Sequence, residues 1–182
     1  FLEKNTLSNK LDFMSDVVIV SAARTPVGSF NGSFSDMSAA DLGSIAIKEA
    51  INRAKIKTSD VSEVIMGQVL TASCGQNPAR QASINAGIPN EVTALTINQV
   101  CGSGIRSIAL GWQSIMNNES EIVVAGGQEN MTQAPHCFHL RQAKNLGDTE
   151  MIDSMIKDGI WDIFNGYHMG VTAENVAEKW QI

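Results

Sequence analysis

The 182-residue sequence contains no apolar run long enough to span a bilayer. Its longest apolar stretches, such as Val17-Val18-Ile19-Val20, suit buried strands, so no membrane partner is expected. Positive charge is also scarce. There is no Lys/Arg-rich run, and the net charge of −6 leaves no basic face for a phosphate backbone, which argues against nucleic acid as a partner. An anionic ligand stays open, provided local groups oppose the global charge. Cysteine is limited to Cys74, Cys101 and Cys137, widely spaced and odd in number. That pattern makes neither a disulfide framework nor a C-x-x-C metal pair, and points to a reducing compartment, the cytoplasm. Residues 1–13 carry mixed charge without an apolar h-region, so they are not a secretory signal. Residues 1–15 are read as a leader or an appended remnant, with Met14 a candidate start. Internal repeats and low-complexity stretches are both lacking.

What is present is ordinary globular material, 43% hydrophobic and 18% charged, enough for one well-buried domain or a domain and part of another. Asp16 to Ala22 reads as a buried strand. A turn-rich stretch follows, and Ser38 with Asp41 makes a near capping box that opens a helix to about Ala54. Val61 to Leu70 reads as a second strand. Pro78, suited to a first helical position, starts a helix that ends at Gly87. Val92 to Asn98, Gly102 to Met116 and Glu121 to Gly126 read as strand, helix and strand. Such alternation predicts an α/β layered fold with a largely parallel sheet. After Gly126-Gly127 the sequence turns polar and irregular, with short helical segments near 150–158 and 169–180. The expected division is residues 16–127 as one unit and 128–182 as the start of a second or inserted one.

Cys101 is the most informative residue. It follows the β-branched run ending at Val100 and precedes Gly102-Ser103-Gly104 and a segment with apolar residues at 105, 108, 109, 112, 115 and 116, which is helical spacing. The thiol therefore belongs at a strand-to-helix turn. A helix N-terminus favours negative charge and lowers a thiol's pKa, and the glycines let a ligand approach closely. This suits a nucleophilic thiolate. A free cysteine is also often a small buried hydrophobe, and Gly-Ser-Gly at a helix start can cradle a phosphate, although neither G-x-G-x-x-G nor a P-loop is present. From spacing alone these readings stay open.

Other candidates are weaker. His136-Cys137-Phe138-His139 offers metal-ligand side chains without a partner pair at the usual spacing elsewhere, so no metal is expected. A histidine at the head of a helix, as His168 is, serves more often as a surface or capping group than in catalysis, and a methionine such as Met169 more often as core than as pocket lining. Arg24, Arg80 and Arg106 can orient an anion near strand ends or form ordinary surface contacts.

Several segments together carry a resemblance. Asn98-Gln99-Val100-Cys101-Gly102-Ser103-Gly104 closely resembles the nucleophile signature of thiolases. Val17 to Pro26, Gly75 to Gln81, Ala125 to Met131 and Tyr167-His168-Met169-Gly170 match in order. Pro135-His136-Cys137 and Met155 to Gly159 are similar to the biosynthetic, acetoacetyl-CoA type. The resemblance covers residues 16–182. It implies two stacked βαβαβαββ halves in a layered α/β/α/β/α sandwich with a loop domain inserted in the first. By this resemblance the chain holds the first half and the start of that loop domain.

The same resemblance implies that Cys101 takes an acetyl group from acetyl-CoA as a thioester, with its backbone N–H as one oxyanion-hole donor. It also implies that His168, Met169 and Ile160 line the pantetheine and acyl pocket. Acetyl-CoA or CoA would be the partner, no cofactor beyond this thioester substrate would be needed, and segment 128–145 would serve assembly into homodimers or homotetramers. The sequence lacks the Gly-His-Pro, Cys-x-Gly-Gly-Gly and Asn-Glu-Ala-Phe motifs of the family's second half, whose histidine and cysteine handle protons. Two functions are therefore carried forward. One is an acetyltransferase whose remaining catalytic groups lie beyond these residues; the other is a truncated, non-catalytic assembly or binding module. A ketoacyl synthase, with the same nucleophile placement, fits Gln76-Asn77-Pro78 and Tyr167 to Gly170 less well.

Overall fold

The computed structural model describes residues 16–139, 141 and 146–182. The proposed leader, Met14 included, and part of the expected assembly segment lie outside the described residues. Within them, α1 (Ala39–Ala54), β1 (Glu63–Gly67), α2 (Pro78–Asn85), β2 (Thr93–Ile97), α3 (Ser103–Met116) and β3 (Val123–Gly127) follow one another as the alternation predicts. The strands form a parallel sheet in the order β2-β1-β3, with Glu63 aligned to both Thr93 and Val123.

The local chemistry explains the helix boundaries. Ser38 accepts from the Asp41 N–H at 3.0 Å while Asp41 Oδ2 accepts from the Ser38 N–H at 3.2 Å, so α1 starts on a reciprocal capping box. At α2, Asn77 Oδ1 accepts from the Arg80 N–H at 3.2 Å, and Pro78 sits where a missing N–H costs nothing. The same carboxamide donates to the Ala94 carbonyl at 2.9 Å, which fixes the start of α2 against β2.

Strand alternation divides the packing into two faces. Val64 and Met66 join Ala40, Ile47, Ile51, Ala79 and Ala82 in a core under α1 and α2. Fully burying an aliphatic side chain of this size contributes about 1.5–3 kcal/mol, so this face supplies most of the cohesion. The opposite face carries α3, where the helix turns Ser103, Ser107, Gly111 and Ser114 inward. Gly111 lets the helix lie close, since a Cβ there would stand 3.0 Å from Val123 Cγ1. The apolar stripe read from the sequence points the other way: Ile105 is 75% and Trp112 51% exposed.

Two sequence expectations are corrected. Residues 16–22 form no strand and join no sheet, and Val18, Ile19 and Val20 are 68–78% exposed. The run instead touches α1 at its end, where Ser21 Oγ donates to the Ala50 carbonyl at 2.7 Å and Arg53 donates to the Ala22 carbonyl at 2.9 Å. The outer edges of β2 and β3 stay open among the described residues, and the run pairs with neither; composition alone does not make a strand. Near 150–158 the expected helix is a short strand, β5 (Ile152–Asp153), followed by a single wide π-helical turn over Met155–Ile160. β5 pairs antiparallel with β4 (His136–Cys137), and β6 (Trp161–Asp162) pairs with β7 (Tyr167–His168) ahead of α4 (Met169–Trp180). The polar stretch after Gly127 is tied back to the first unit: Asn130 donates to the Phe34 and Met37 carbonyls at 2.8 and 2.7 Å.

Candidate active site

The C-terminal ends of the three parallel strands lie together, which is where open α/β sheets bind ligands. Cys101 follows the end of β2, exposed, two residues before α3 begins. The turn between them is tightly wound. The Gly102 N–H donates to the Gln99 carbonyl and the Ser103 N–H to the Val100 carbonyl, each at 3.1 Å. Ser103 Oγ accepts from the Gln99 N–H at 2.8 Å and donates to the Val100 carbonyl at 2.6 Å. Val100 is held at φ +50°, a left-handed conformation that costs a β-branched residue about 1–3 kcal/mol. Strain of this kind is retained only where surrounding bonds over-determine it. The result is a thiol presented outward at the head of a helix.

The neighbouring strand ends are packed backbone to backbone. Gly67, last in β1, lies so near α3 that a Cβ would fall 2.5 Å from Ser103 Cβ. Ser107 Oγ donates to the Gly126 carbonyl of β3 at 2.8 Å. Beyond β3, the Glu129 carboxylate accepts from the Val69 N–H at 2.8 Å and the Leu70 N–H at 3.2 Å. Burial pushes the Glu129 carboxyl above its ordinary value, against these two bonds, which favour the anion. Gln128 donates to Gln68 Oε1 at 2.9 Å in a buried amide pair.

The remaining sequence candidates fall elsewhere. His168 caps α4, its Nδ1 accepting from the Gly170 N–H at 3.0 Å, which leaves Nε2 free of that role. Ile160, His168 and Met169 flank one hairpin, because Trp161 pairs with His168 across it. That brings the three together, while no hydrogen bond among the described residues joins the hairpin to Cys101. A cavity of about 360 Å³ opens beside this hairpin, lined by Ile152, Asp153, Ile156, Lys157 and Trp161. A more enclosed one of about 170 Å³ lies against Gln68, Cys74, Gln81 and Asn130, away from Cys101.

Arg80 serves the scaffold, its guanidinium gripping the carbonyls of Asn90 and Val92 just ahead of β2, at the opposite end from Cys101. Arg24 and Arg106 are exposed. His136 lies in β4 with Nε2 3.8 Å from Asp153 Oδ2, and among the described residues no group of three His, Cys, Asp or Glu could hold a metal ion. No described helix is long and apolar enough to cross a membrane. Sequence reasoning passed over Val100, Ser103 and Glu129 as individual actors. The available signal was Asn98 two residues before Val100, the spacing at which an Asx side chain bonds the backbone.

This arrangement can be set beside known proteins. The family described as thiolase, N-terminal domain, matches residues 17–182. The chain belongs to the thiolase family. Among similar thiolases, the acetyl-CoA acetyltransferase of Paracoccus denitrificans is 59% identical over 169 residues, covering 93% of this chain and 43% of that protein. The acetyl-CoA acetyltransferase of Rhizobium meliloti (strain 1021) is 58% identical over 166 residues, 91% of this chain and 42% of its own. The cytosolic acetyl-CoA acetyltransferase of Rattus norvegicus is 55% identical over 166 residues, again 91% and 42%. This thiolase chain therefore spans less than half the length of the curated relatives it matches.

Proposed function

We propose that this chain carries the nucleophile of an acetyl-CoA C-acetyltransferase that condenses two acetyl-CoA molecules to acetoacetyl-CoA, or cleaves acetoacetyl-CoA in reverse. The observation that carries the reading is Cys101, exposed at a strained strand-to-helix turn in a thiolase chain whose relatives bear that name. The Cys101 thiolate attacks the acetyl carbonyl carbon. The carbon–sulfur bond to CoA breaks, CoA leaves as a thiolate that takes up a proton, and acetyl-Cys101 remains. A general base takes the α-proton of a second acetyl-CoA, and the resulting carbanion attacks this thioester, forming the new carbon–carbon bond and releasing the Cys101 sulfur as a thiolate.

We assign the Cys101 backbone N–H, just ahead of α3, as one donor to the developing oxyanion, since the Gly102 and Ser103 N–H groups are already taken by the Gln99 and Val100 carbonyls. We assign Ile160, His168 and Met169 to the pantetheine and acyl pocket, which their common hairpin supports. No metal or organic cofactor enters these steps. We read the segment from 128 onward as the start of a loop domain serving homodimer or homotetramer assembly. Three free thiols fit a reducing, cytoplasmic setting.

Cys101→Ser in the protein as its gene encodes it tests the assignment. Labelled acetyl-CoA should acetylate the parent on Cys101 and leave the variant unlabelled. A variant that exchanges acetyl groups at the parental rate refutes the role. A parent that never acetylates favours the non-catalytic, assembly-module reading.

A further inference from the structure

The peptide just before Cys101 is held in a costly conformation by side chains that take no part in the chemistry described above. Val100, at φ +50°, would relax to the extended or helical region if free, and that rotation would swing the following residue. Two groups oppose it. Ser103, buried against Gly67, grips the Gln99 N–H and the Val100 carbonyl from inside the turn. On the exposed side, Asn98 Oδ1 accepts from the Val100 N–H at 2.8 Å. The Asn98 carboxamide is itself braced, since Nδ2 makes a long 3.5 Å contact with the Val69 carbonyl. Val69 in turn donates its N–H to Glu129 at 2.8 Å.

We propose that Asn98 is a positioning residue for Cys101: its carboxamide locks Val100 in the left-handed conformation and so fixes the direction in which the thiol meets the acyl carbon. This rests on the reading of Cys101 as the nucleophile. The role differs from capping, because the bond reaches the strained residue and no amide of α3 itself. It also differs from substrate binding, because Asn98 acts through the backbone.

The test uses the whole gene-encoded protein and follows acetyl-enzyme formation against acetyl-CoA concentration. One hydrogen bond of ordinary net strength corresponds to roughly fivefold. Asn98→Ala should therefore lower kcat about fivefold at nearly constant KM. Asn98→Ser, which keeps an oxygen able to bond the N–H two residues on, should recover most of the loss. Glycine adopts positive φ at no steric cost. In a Val100→Gly background, then, Asn98→Ala should change the rate by less than about twofold, because no strain remains for Asn98 to hold.

An equal loss with and without the Val100→Gly change overturns the proposal, as does parental kcat in Asn98→Ala, or a loss that falls on KM. Asn98 is exposed, so these variants are expected to fold, which parental melting curves would check. Acetylation surviving in Cys101→Ser would overturn the nucleophile reading and this inference together. Loss in Cys101→Ser with equal Asn98 effects in both backgrounds would overturn only the inference.

Discussion

Replacing Gly67 with alanine tests whether the candidate site is placed by backbone contact. The new Cβ would lie 2.5 Å from Ser103 Cβ, 2.8 Å from the Ser103 carbonyl carbon and 3.0 Å from the Gly104 N. Non-bonded carbons settle at about 3.5–4.0 Å, so the first turn of α3 must retreat by roughly 1 Å. Two of the three crowded atoms are main chain and cannot rotate aside. Overpacking of this kind costs about 1–3 kcal/mol, and the smaller freedom of the unfolded alanine chain returns about 0.4–1 kcal/mol. The net is a loss of up to roughly 2.5 kcal/mol, a fall of up to several degrees in Tm.

The effect on rate should be larger than the effect on stability. The turn bearing Cys101 moves with α3, and a displacement of about 1 Å can cost on the order of a hundredfold. Gly126→Ala is the matched control, because its Cβ would meet Met66 Sδ at 3.5 Å, an ordinary contact. It should gain about 0.4–1 kcal/mol and leave the rate within about twofold. Melting followed by circular dichroism and acetylation by labelled acetyl-CoA would be measured on both variants. If Gly67→Ala melted and reacted like Gly126→Ala, the close approach of β1 to the head of α3 would be wrong.

Ser38→Ala removes half of the α1 capping box and should cost about 1 kcal/mol, seen as a Tm lower by a few degrees. Gly43→Ala places a Cβ 2.0 Å from Gln128 Oε1 and must break the Gln128–Gln68 bond. The unpaired buried amides should cost about 1–3 kcal/mol despite the gain in helix propensity, and adding Gln128→Ala should recover part of it in denaturant melts. Burial holds Glu129 above its ordinary pKa, so the folded protein binds that proton more tightly than the unfolded chain. Its stability contribution is present below the ordinary glutamate value and is lost as pH rises through the higher folded value. Tm should therefore fall with rising pH just above the ordinary glutamate range, and that slope should vanish in Glu129→Gln; an unchanged slope would contradict the assignment.

The parts of the fold legible in the sequence are those set by near neighbours along the chain. Ser38 with Asp41, Asn77 with Pro78, and the alternation of β-branched and amphipathic segments gave α1, α2 and the parallel sheet within a few residues. Cys101 was found the same way, from the run before it and the glycines after it. What could not be read depends on partners distant in sequence. The apolar run 17–20 has strand composition, yet it pairs with neither open edge of the sheet, and local composition carries no record of that. The bracing of the Cys101 turn joins residues some thirty positions apart, Asn98 to Val69, and sixty apart, Val69 to Glu129. Neither spacing has a periodicity to reveal it.

The orientation of α3 shows why hydrophobic periodicity identifies a helix without giving the face that meets the sheet. Period says which residues share a side; it does not say which side approaches a sheet most closely. β1 ends in Gly67 and β3 in Gly127, which are in register and face α3, so this end of the sheet offers no side chain there. Only a helix with small residues on its inner side can descend that far, and Ser103, Ser107 and Gly111 supply it. The serine hydroxyls remain paired on burial, Ser107 Oγ lying 2.6 Å from the Gly104 carbonyl and 2.8 Å from that of Gly126. Main chain then rests on main chain, with no flexible side chain between them to absorb a shift. The head of the helix is thereby referenced directly to the ends of two strands, and the Cys101 turn inherits that reference. The outward apolar stripe has no part in this placement. Changes along Ile105, Ile108 and Trp112 should therefore act on whatever meets that face, while changes along Ser103, Ser107 and Gly111 act on the position of the thiol.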